Sequence, residues 1–188
     1  MIGPDNAKRA FERALANHCA PVLLGKKPAA LLNQNYVSQG QAGILLGAYG
    51  LRTVRLHWQG QRGLLFIYHP GRLNACLQED ITQRMLWQMG YPTHKEANLL
   101  LGFMHRRFRE SPVFPHEVGF FLGYPPKDVI AFIKGQSGYK LNGPWKVYTD
   151  VEHARAVFSE YARCRRALLK HLDGGGSIFT TDLSALAG

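Results

Sequence analysis

The stretch that decides the fold is Arg52-Thr-Val-Arg-Leu-His-Trp58, followed by Gln59-Gly-Gln-Arg62 and Gly63-Leu-Leu-Phe-Ile-Tyr68. Apolar and polar side chains alternate through its first part, which is typical of a strand. The second part has the composition of a turn, and the third is more uniformly apolar. The stretch therefore predicts a β-hairpin.

Helical patterns surround this hairpin. The predicted helices cover residues 6–19, 39–49, 70–89, 93–109 (N-cap Thr93) and 127–133, and a long segment that follows the N-cap Asp150. Val118–Leu122 and Trp145–Tyr148 are predicted as short further strands, whereas residues 25–36 show no regular pattern. The sequence predicts an α+β fold: a small, mainly antiparallel sheet, made of the hairpin plus one or two further strands, packed by several helices.

The length of the chain bounds its domain organisation. At 188 residues the chain suits one domain with a proper core, which we assign to residues 1–173. Three glycines, Gly174-Gly-Gly176, introduce residues 174–188, which we expect to form a mobile C-terminal tail. Hydrophobic residues make up 46% of the chain and charged residues 19%, which excludes disordered and fibrous classes.

The sequence carries no signal for a membrane or an oxidising compartment. No apolar run approaches the length of a membrane span, and the N-terminus lacks the order of a secretory signal. Cys19, Cys76 and Cys164 lie far apart and form no Cys-x-x-Cys pair. We therefore expect a cytoplasmic protein with reduced thiols and no membrane partner.

The chain is strongly basic. Its 23 Lys and Arg residues exceed its 13 Asp and Glu residues, which gives a formal net charge of +10. Such a charge attracts anionic partners, from small anions to nucleic acid. Much of the excess falls on predicted helices, in His105–Arg109 and Arg163–Arg166, where a solvated helix face is the simpler interpretation.

One segment carries residues suited to chemistry: Phe114-Pro-His-Glu-Val-Gly-Phe-Phe-Leu-Gly-Tyr-Pro125. It places His116 and Glu117 at the entrance of the predicted strand. Histidine exchanges a proton near neutral pH, and a neighbouring glutamate can carry charge or orient a donor. The structural alternative is that His116 tethers the strand entrance through a backbone hydrogen bond while Glu117 points to solvent.

Several segments together carry a resemblance that spans nearly the whole chain. They are His18-Cys-Ala-Pro21, Gly25-Lys-Lys-Pro28, the segment from Phe114 to Pro125, and Tyr139 through Trp145-Lys-Val-Tyr148. In these the chain resembles a bacterial family of unknown function known mainly from anaerobes. The resemblance implies no activity, but it draws attention to Cys19 and to the His-Glu pair. The chain departs from the pattern at Pro126 and at His69; the latter stands where arginine is expected, so any role of an arginine there is in doubt.

A thiol, an imidazole and a carboxylate are the minimum set for cysteine nucleophile chemistry. The first functional hypothesis is therefore an enzyme acting on a small anionic substrate, with Cys19 as nucleophile, His116 as acid or base and Glu117 as its orienting partner. The position of Cys19 argues against it. The thiol lies at the end of the first helix, where the macrodipole raises its pKa, and it extends the apolar stripe as a core cysteine does.

A basic nucleic-acid-binding module without catalysis is the alternative. Aromatic side chains at Tyr139, Trp145 and Tyr148 could stack on bases beside lysines. The residues of this hypothesis are Lys140, Trp145, Lys146, Arg163, Arg165 and Arg166. Trp145 and Tyr148 could equally anchor the last helix to the sheet, and Trp58 and Trp87 are predicted to lie in the core.

The second alternative is a redox accessory protein that binds a metal or tetrapyrrole. His18 or Cys19, together with His116, Glu117 and His69, offers donor atoms suited to zinc or iron. No pair of them has a recognised ligand spacing, so the sequence assigns no metal ligand. The glycine-containing loop of residues 135–143 lacks the P-loop order and predicts a surface turn. Cofactor and oligomeric state stay open.

Overall fold

The protein is built from helices around a small antiparallel sheet. The computed structural model describes residues 4–33, 38–57, 63–92 and 95–186. In chain order the elements are α1 (Pro4–His18), α2 (Ala20–Leu23), β1 (Ala29–Asn33), α3 (Gln39–Gly47), β2 (Arg52–Leu56), β3 (Leu64–Tyr68), α4 (Pro70–Leu77), α5 (Asp80–Gln88), α6 (Ala97–Glu110), α7 (Val118–Phe121), α8 (Pro126–Ile133), β4 (Leu141–Asn142), β5 (Lys146–Val147) and α9 (Val151–Asp173), followed by 3-10 turns at Ile178–Thr180 and Leu183–Leu186. The prediction of an α+β fold is confirmed.

The central strand is β3, which pairs antiparallel with β1 on one side and β2 on the other. The predicted hairpin is thus present. Successive side chains of a strand point to opposite faces, and every side chain from Leu65 to Tyr68 is buried. Helices cover both faces of β3, which explains why this strand is uniformly apolar while the edge strand β2 alternates.

Each face of the sheet packs against its own hydrophobic cluster. The first core contains Leu65 and Ile67 of β3 together with buried side chains of α1, α2, α3 and α9. The second core contains Phe66 and Tyr68 with buried side chains of α4 to α7. The result is a layered arrangement in which the sheet separates two cores.

The strand predicted at Val118–Leu122 is wrong, because this segment forms α7 and the turn after it. Its hydrogen bonds are local: Gly119 N–H donates to the His116 carbonyl over 3.1 Å, and Leu122 N–H donates to the Val118 carbonyl over 2.9 Å. All five residues are buried. A short run that is apolar at every position lacks the polar positions that distinguish a strand from a helix. The third strand of the sheet is instead β1, in a segment without a regular pattern.

The prediction that Trp87 lies in the core is also wrong, since this residue is 64% exposed. The short helix α5 turns Thr82, Gln83 and Leu86 inward and leaves the indole outside. Trp58, Thr93 and the hairpin turn lie outside the described residues.

Asp128 joins α8 to the segment before α9. This carboxylate is buried and accepts four hydrogen bonds over 2.8–3.0 Å, from the Trp145 indole N–H, the Tyr148 N–H, and the N–H and hydroxyl of Thr149. Buried charges in proteins require such partners. The four bonds fix the β4–β5 hairpin and the start of α9 on the body of the protein.

The long helix predicted after Asp150 is confirmed as α9, whose first turn is capped by the Asp150 carboxylate (2.9 Å from the His153 nitrogen). Its buried side chains include Cys164, Leu168 and Leu172. Neither α9 nor any other helix in the described part of the chain combines the length and apolarity that crossing a membrane requires.

The segment after α9 folds back onto α1. Ile178 is completely buried, and its N–H donates to the buried Glu12 carboxylate over 2.9 Å. The Ser177 hydroxyl donates to the same carboxylate. Residues expected to form a mobile tail therefore contribute to the first core in this structure.

Candidate functional site

Cys19 lies between α1 and α2 and is completely buried. Burial raises the pKa of its thiol to about 12, although the positive charge of Lys27 acts in the opposite direction. A cysteine nucleophile needs a thiolate and an accessible sulfur. The Cys19 side chain has the environment of a core residue.

His116 and Glu117 point to different places. The His116 ring is exposed and packs edge-to-face on Phe132, with the ring centroids 4.9 Å apart. Glu117 is buried and does not point to solvent. Its Oε1 atom lies 3.0 Å from Arg107 Nε and accepts a hydrogen bond of 3.3 Å from the Tyr91 hydroxyl.

The three candidate catalytic residues are therefore not brought together. Glu117 pairs with Arg107, and no hydrogen bond joins it to His116 in the described part of the chain. His116 lines a cavity of about 340 Å³ whose described lining does not include Cys19. The His116 backbone carbonyl accepts a hydrogen bond from the Gly119 N–H at the start of α7. The His116 backbone therefore belongs to the turn that begins this helix.

Alkylation should report the environment of Cys19 directly. In the folded protein we expect iodoacetamide to modify Cys19 about a thousandfold more slowly than in the unfolded chain, because the thiolate fraction falls about tenfold for each increase of one in the pKa. Peptide mass spectrometry after timed quenching, with and without urea, measures the two rates. Equal rates would show an accessible thiol and restore Cys19 as a candidate nucleophile.

The structure draws attention to a different residue, Lys27, whose amine is buried. The turn after α2 directs it inward: Gly25 has φ of +67°, and the Lys27 N–H donates to the Pro21 carbonyl over 3.1 Å. The next residue, Pro28, packs so closely on Gly123 that a Cβ at that position would overlap it. The path of the chain on both sides of Lys27 is thus fixed.

The Lys27 ammonium has no ionic partner in the described part of the chain, and no hydrogen bond to it is formed there. The residue is only 9% exposed. Its Nζ atom lies 4.7 Å from the centre of the Tyr124 ring and 5.7 Å from that of Tyr161. Burial lowers the pKa of Lys27 to about 8, and the smaller effect of Cys19 acts in the opposite direction.

Lys27 lines a cavity of about 520 Å³, which we call the Lys27 cavity. Its walls include Leu31, Tyr124, Phe158 and Tyr161, and its polar groups are Asn17, His18, Lys27, Arg165 and Arg166. No aspartate or glutamate is among the described residues that line it. The volume is within the range of roughly 300–1,000 Å³ typical of small-molecule sites.

The described contacts of the cationic side chains that line the cavity include no carboxylate, whereas neighbouring cations outside it pair with one. Arg165 is held by two hydrogen bonds, of 3.1 and 2.9 Å, to the neutral Asn17 side chain. In contrast, Lys26 and Arg163 both pair with Glu160 outside the cavity. The positive charge of the cavity is therefore not neutralised by the described residues that line it.

The residues of the nucleic-acid hypothesis differ in their surroundings. Trp145 is 8% exposed, donates its indole N–H to Asp128 and packs edge-to-face on Phe158 of α9 at 4.6 Å. Its ring is thus used for packing. Lys140 donates to the Thr149 carbonyl, and Lys146 lies 5.0 Å from the Tyr139 ring centre.

The proposed metal ligands are also dispersed. The described residues contain no group of three or more His, Cys, Asp or Glu side chains suited to hold a metal ion. His69 caps α4, where its Nδ1 accepts from the Arg72 N–H over 3.4 Å. The histidine at position 69 therefore acts as the N-cap of α4.

Sequence reasoning did not find Lys27, which stands in a Lys-Lys-Pro break. Tyr161 belongs to the apolar stripe of the last helix, and Tyr124 to a turn. The one signal that could have pointed to Lys27 is the Gly25–Pro28 segment, since it is among those that carry the family resemblance.

Comparison with known proteins yields a family and no characterised relative. No curated protein and no solved structure matches the chain. The sequence model described as protein of unknown function (DUF3793) matches residues 15–180, a range that contains Lys27, Tyr124 and Tyr161. The chain therefore belongs to the DUF3793 family of proteins of unknown function.

Proposed function

We propose that the protein binds a small anionic molecule in the Lys27 cavity. The observation that carries this proposal is the convergence of three cationic side chains, Lys27, Arg165 and Arg166, around a cavity whose described lining has no carboxylate. An anion held there would meet opposite charge on several sides.

The buried ammonium group supports the proposal energetically. Burying an unpaired charge is unfavourable unless an opposite charge or hydrogen-bond acceptors compensate. Two tyrosine rings near Nζ supply a partial compensation, since a desolvated cation–π contact contributes about 2 kcal/mol. An anionic group on the ligand would supply the missing partner.

The side chains that form the cavity walls indicate that the ligand has an apolar part besides its anionic group. Tyr124, Phe158 and Tyr161 offer aromatic surface, and Leu31, Leu122 and Leu169 offer aliphatic surface. A ligand site that is mostly apolar with a few convergent polar groups favours a molecule with an apolar body. The proposed ligand is a carboxylate, phosphate or sulfonate attached to a ring or hydrocarbon.

The small anionic molecule of the enzyme hypothesis is retained here, but its binding site is the Lys27 cavity. Its anchor is Lys27 and not Cys19, whose thiol is buried with a pKa raised to about 12. The Cys19–His116–Glu117 mechanism receives no support from the geometry, because the three side chains face different surroundings.

Fluorescence titration with 8-anilinonaphthalene-1-sulfonate, an aromatic anion, tests the proposal. We expect Lys27→Met to weaken binding about tenfold or more, because it removes the buried positive charge and keeps a similar side-chain length. Lys26→Met is the matched control, since Lys26 is its neighbour and pairs with Glu160; binding should change little. Equal affinities of wild type and Lys27→Met would contradict the proposal.

A short single-stranded oligonucleotide separates this proposal from the nucleic-acid alternative. Binding that Lys27→Met leaves intact, but that Arg165→Glu with Arg166→Glu abolishes, would favour the alternative. Affinity for nucleic acid should then fall steeply with added salt. We expect no such binding at physiological salt.

A further inference from the structure

We propose that Lys27 is a nucleophile whose amine forms an imine with an aldehyde or ketone that also carries an anionic group. This inference rests on the proposed function, since the same cavity must hold the anion. It goes beyond binding because it names a covalent step and a class of substrate, the anionic carbonyl compounds.

The position of the Lys27 amine in the cavity supports this inference. The Lys27 Nζ atom faces the rings of Tyr124 and Tyr161, and all three residues line the same cavity. No salt bridge holds the ammonium in the described part of the chain. Lys26, in contrast, pairs with Glu160. The Lys27 side chain thus lines the cavity in which the proposed substrate binds, without an ionic partner among the described residues.

The protonation state gives the second argument, because only a neutral amine attacks a carbonyl. Burial lowers the pKa of Lys27 to about 8. About one molecule in ten then carries the neutral amine at neutral pH, against roughly one in three thousand for an ordinary lysine. Desolvation of this kind activates lysines that form imines.

The step balances without a redox partner. The Nζ lone pair forms a bond to the carbonyl carbon, and the carbon–oxygen π electrons move to oxygen. A proton passes from nitrogen to that oxygen, giving a carbinolamine. The nitrogen lone pair then forms the carbon–nitrogen double bond as the carbon–oxygen bond breaks, and the hydroxyl leaves as water with the second proton of the nitrogen.

The cavity contains groups that can assist the loss of water. Burial raises the pKa of Tyr124 to about 12, and burial together with the charge of Tyr124 raises the pKa of Tyr161 still further from its ordinary value. Both phenols thus stay protonated and can donate hydrogen bonds to the carbinolamine oxygen. Arg165 and Arg166 remain available for the anionic group of the substrate.

Paired probes test the inference separately from binding. Pyridoxal 5′-phosphate carries an aldehyde and an anionic group, and pyridoxine 5′-phosphate is the same molecule with an alcohol. Glyoxylate and glycolate form a smaller pair of the same kind. Each aldehyde is incubated with the protein and treated with borohydride, and peptide mass spectrometry locates the adduct.

We expect an adduct on Lys27 that forms at least about tenfold faster than any adduct on Lys26, because the lowered pKa of Lys27 gives it a larger fraction of neutral amine than an ordinary lysine has. Lys27→Arg keeps the positive charge and removes the amine, so it should retain binding of pyridoxine 5′-phosphate and lose the adduct. Circular dichroism checks that the variant is folded.

The outcomes distinguish the two proposals. Binding of an alcohol probe without an aldehyde adduct on Lys27 overturns the imine and leaves the anion site standing. Adducts spread evenly over surface lysines also overturn the imine. Failure of all four probes to bind or react overturns both proposals.

Discussion

Replacement of Lys27 by methionine should stabilise the protein at neutral pH, by up to about 3 kcal/mol. The buried ammonium has a pKa lowered from 10.5 to about 8, and a pKa difference of one between the folded and unfolded states corresponds to about 1.4 kcal/mol. Methionine has a similar length and no charge to bury. A site residue that lowers stability is a known compromise between stability and function.

The gain should depend on pH in a defined direction. Below pH 8 the amine is charged in both states, so the folded protein bears the full cost of burial. Between pH 8 and 10.5 the unfolded chain binds more protons than the folded one, so the stability of the wild type rises relative to the variant. The difference should vanish above pH 10.5.

Urea unfolding of both proteins at several pH values measures this difference. Lys26→Met serves as the control, because Lys26 is partly exposed and its removal should change the free energy of unfolding little. A variant less stable than the wild type at neutral pH would show that the Lys27 charge is compensated within the protein.

Removal of the Asp128 carboxylate should destabilise the protein by about 3 kcal/mol or more. Asp128→Ala leaves the Trp145 indole, two backbone N–H groups and the Thr149 hydroxyl without their acceptor. Hydrogen bonds to charged groups contribute roughly 1.5–3 kcal/mol each, and buried donors left unsatisfied add a further cost. Asp128→Asn keeps the shape and should recover part of the loss.

The matched control for Asp128 is Asp150→Ala. Asp150 is an exposed N-cap with one hydrogen bond to the His153 nitrogen, and losing such a cap costs about 1 kcal/mol. Thermal and urea unfolding compare the two variants. A loss at Asp128 no larger than that at Asp150 would show that the network does not hold the β4–β5 hairpin in place.

The elements that sequence reasoning predicted correctly carry their own local signals. The hairpin strands differ in pattern from their turn, and α9 has a cap followed by a long apolar stripe. β1 has no such signal, because the strand has only five residues and follows the Lys-Lys-Pro break. Residues 118–122 are apolar at every position, so their sequence shows neither the period of a strand nor that of a helix. In the structure their local hydrogen bonds form the helix α7.

The candidate site was harder to predict because its properties are not local. Whether Lys27 is buried depends on Tyr124 and Tyr161, which reach it from segments far along the chain. Likewise, Glu117 turns inward because Arg107 and Tyr91 are placed to receive it. Residue type alone favoured Cys19 and His116, whose chemistry is familiar, over a lysine in a break.

The two-sided burial of β3 bears on whether the protein can be divided. Leu65 and Ile67 face one core while Phe66 and Tyr68 face the other, so a fragment that kept only one set of helices would leave an apolar sheet face in water. Such a face promotes association with other chains. We expect neither half to persist as an independent module, and fusions or split versions of this protein should be joined outside the sheet.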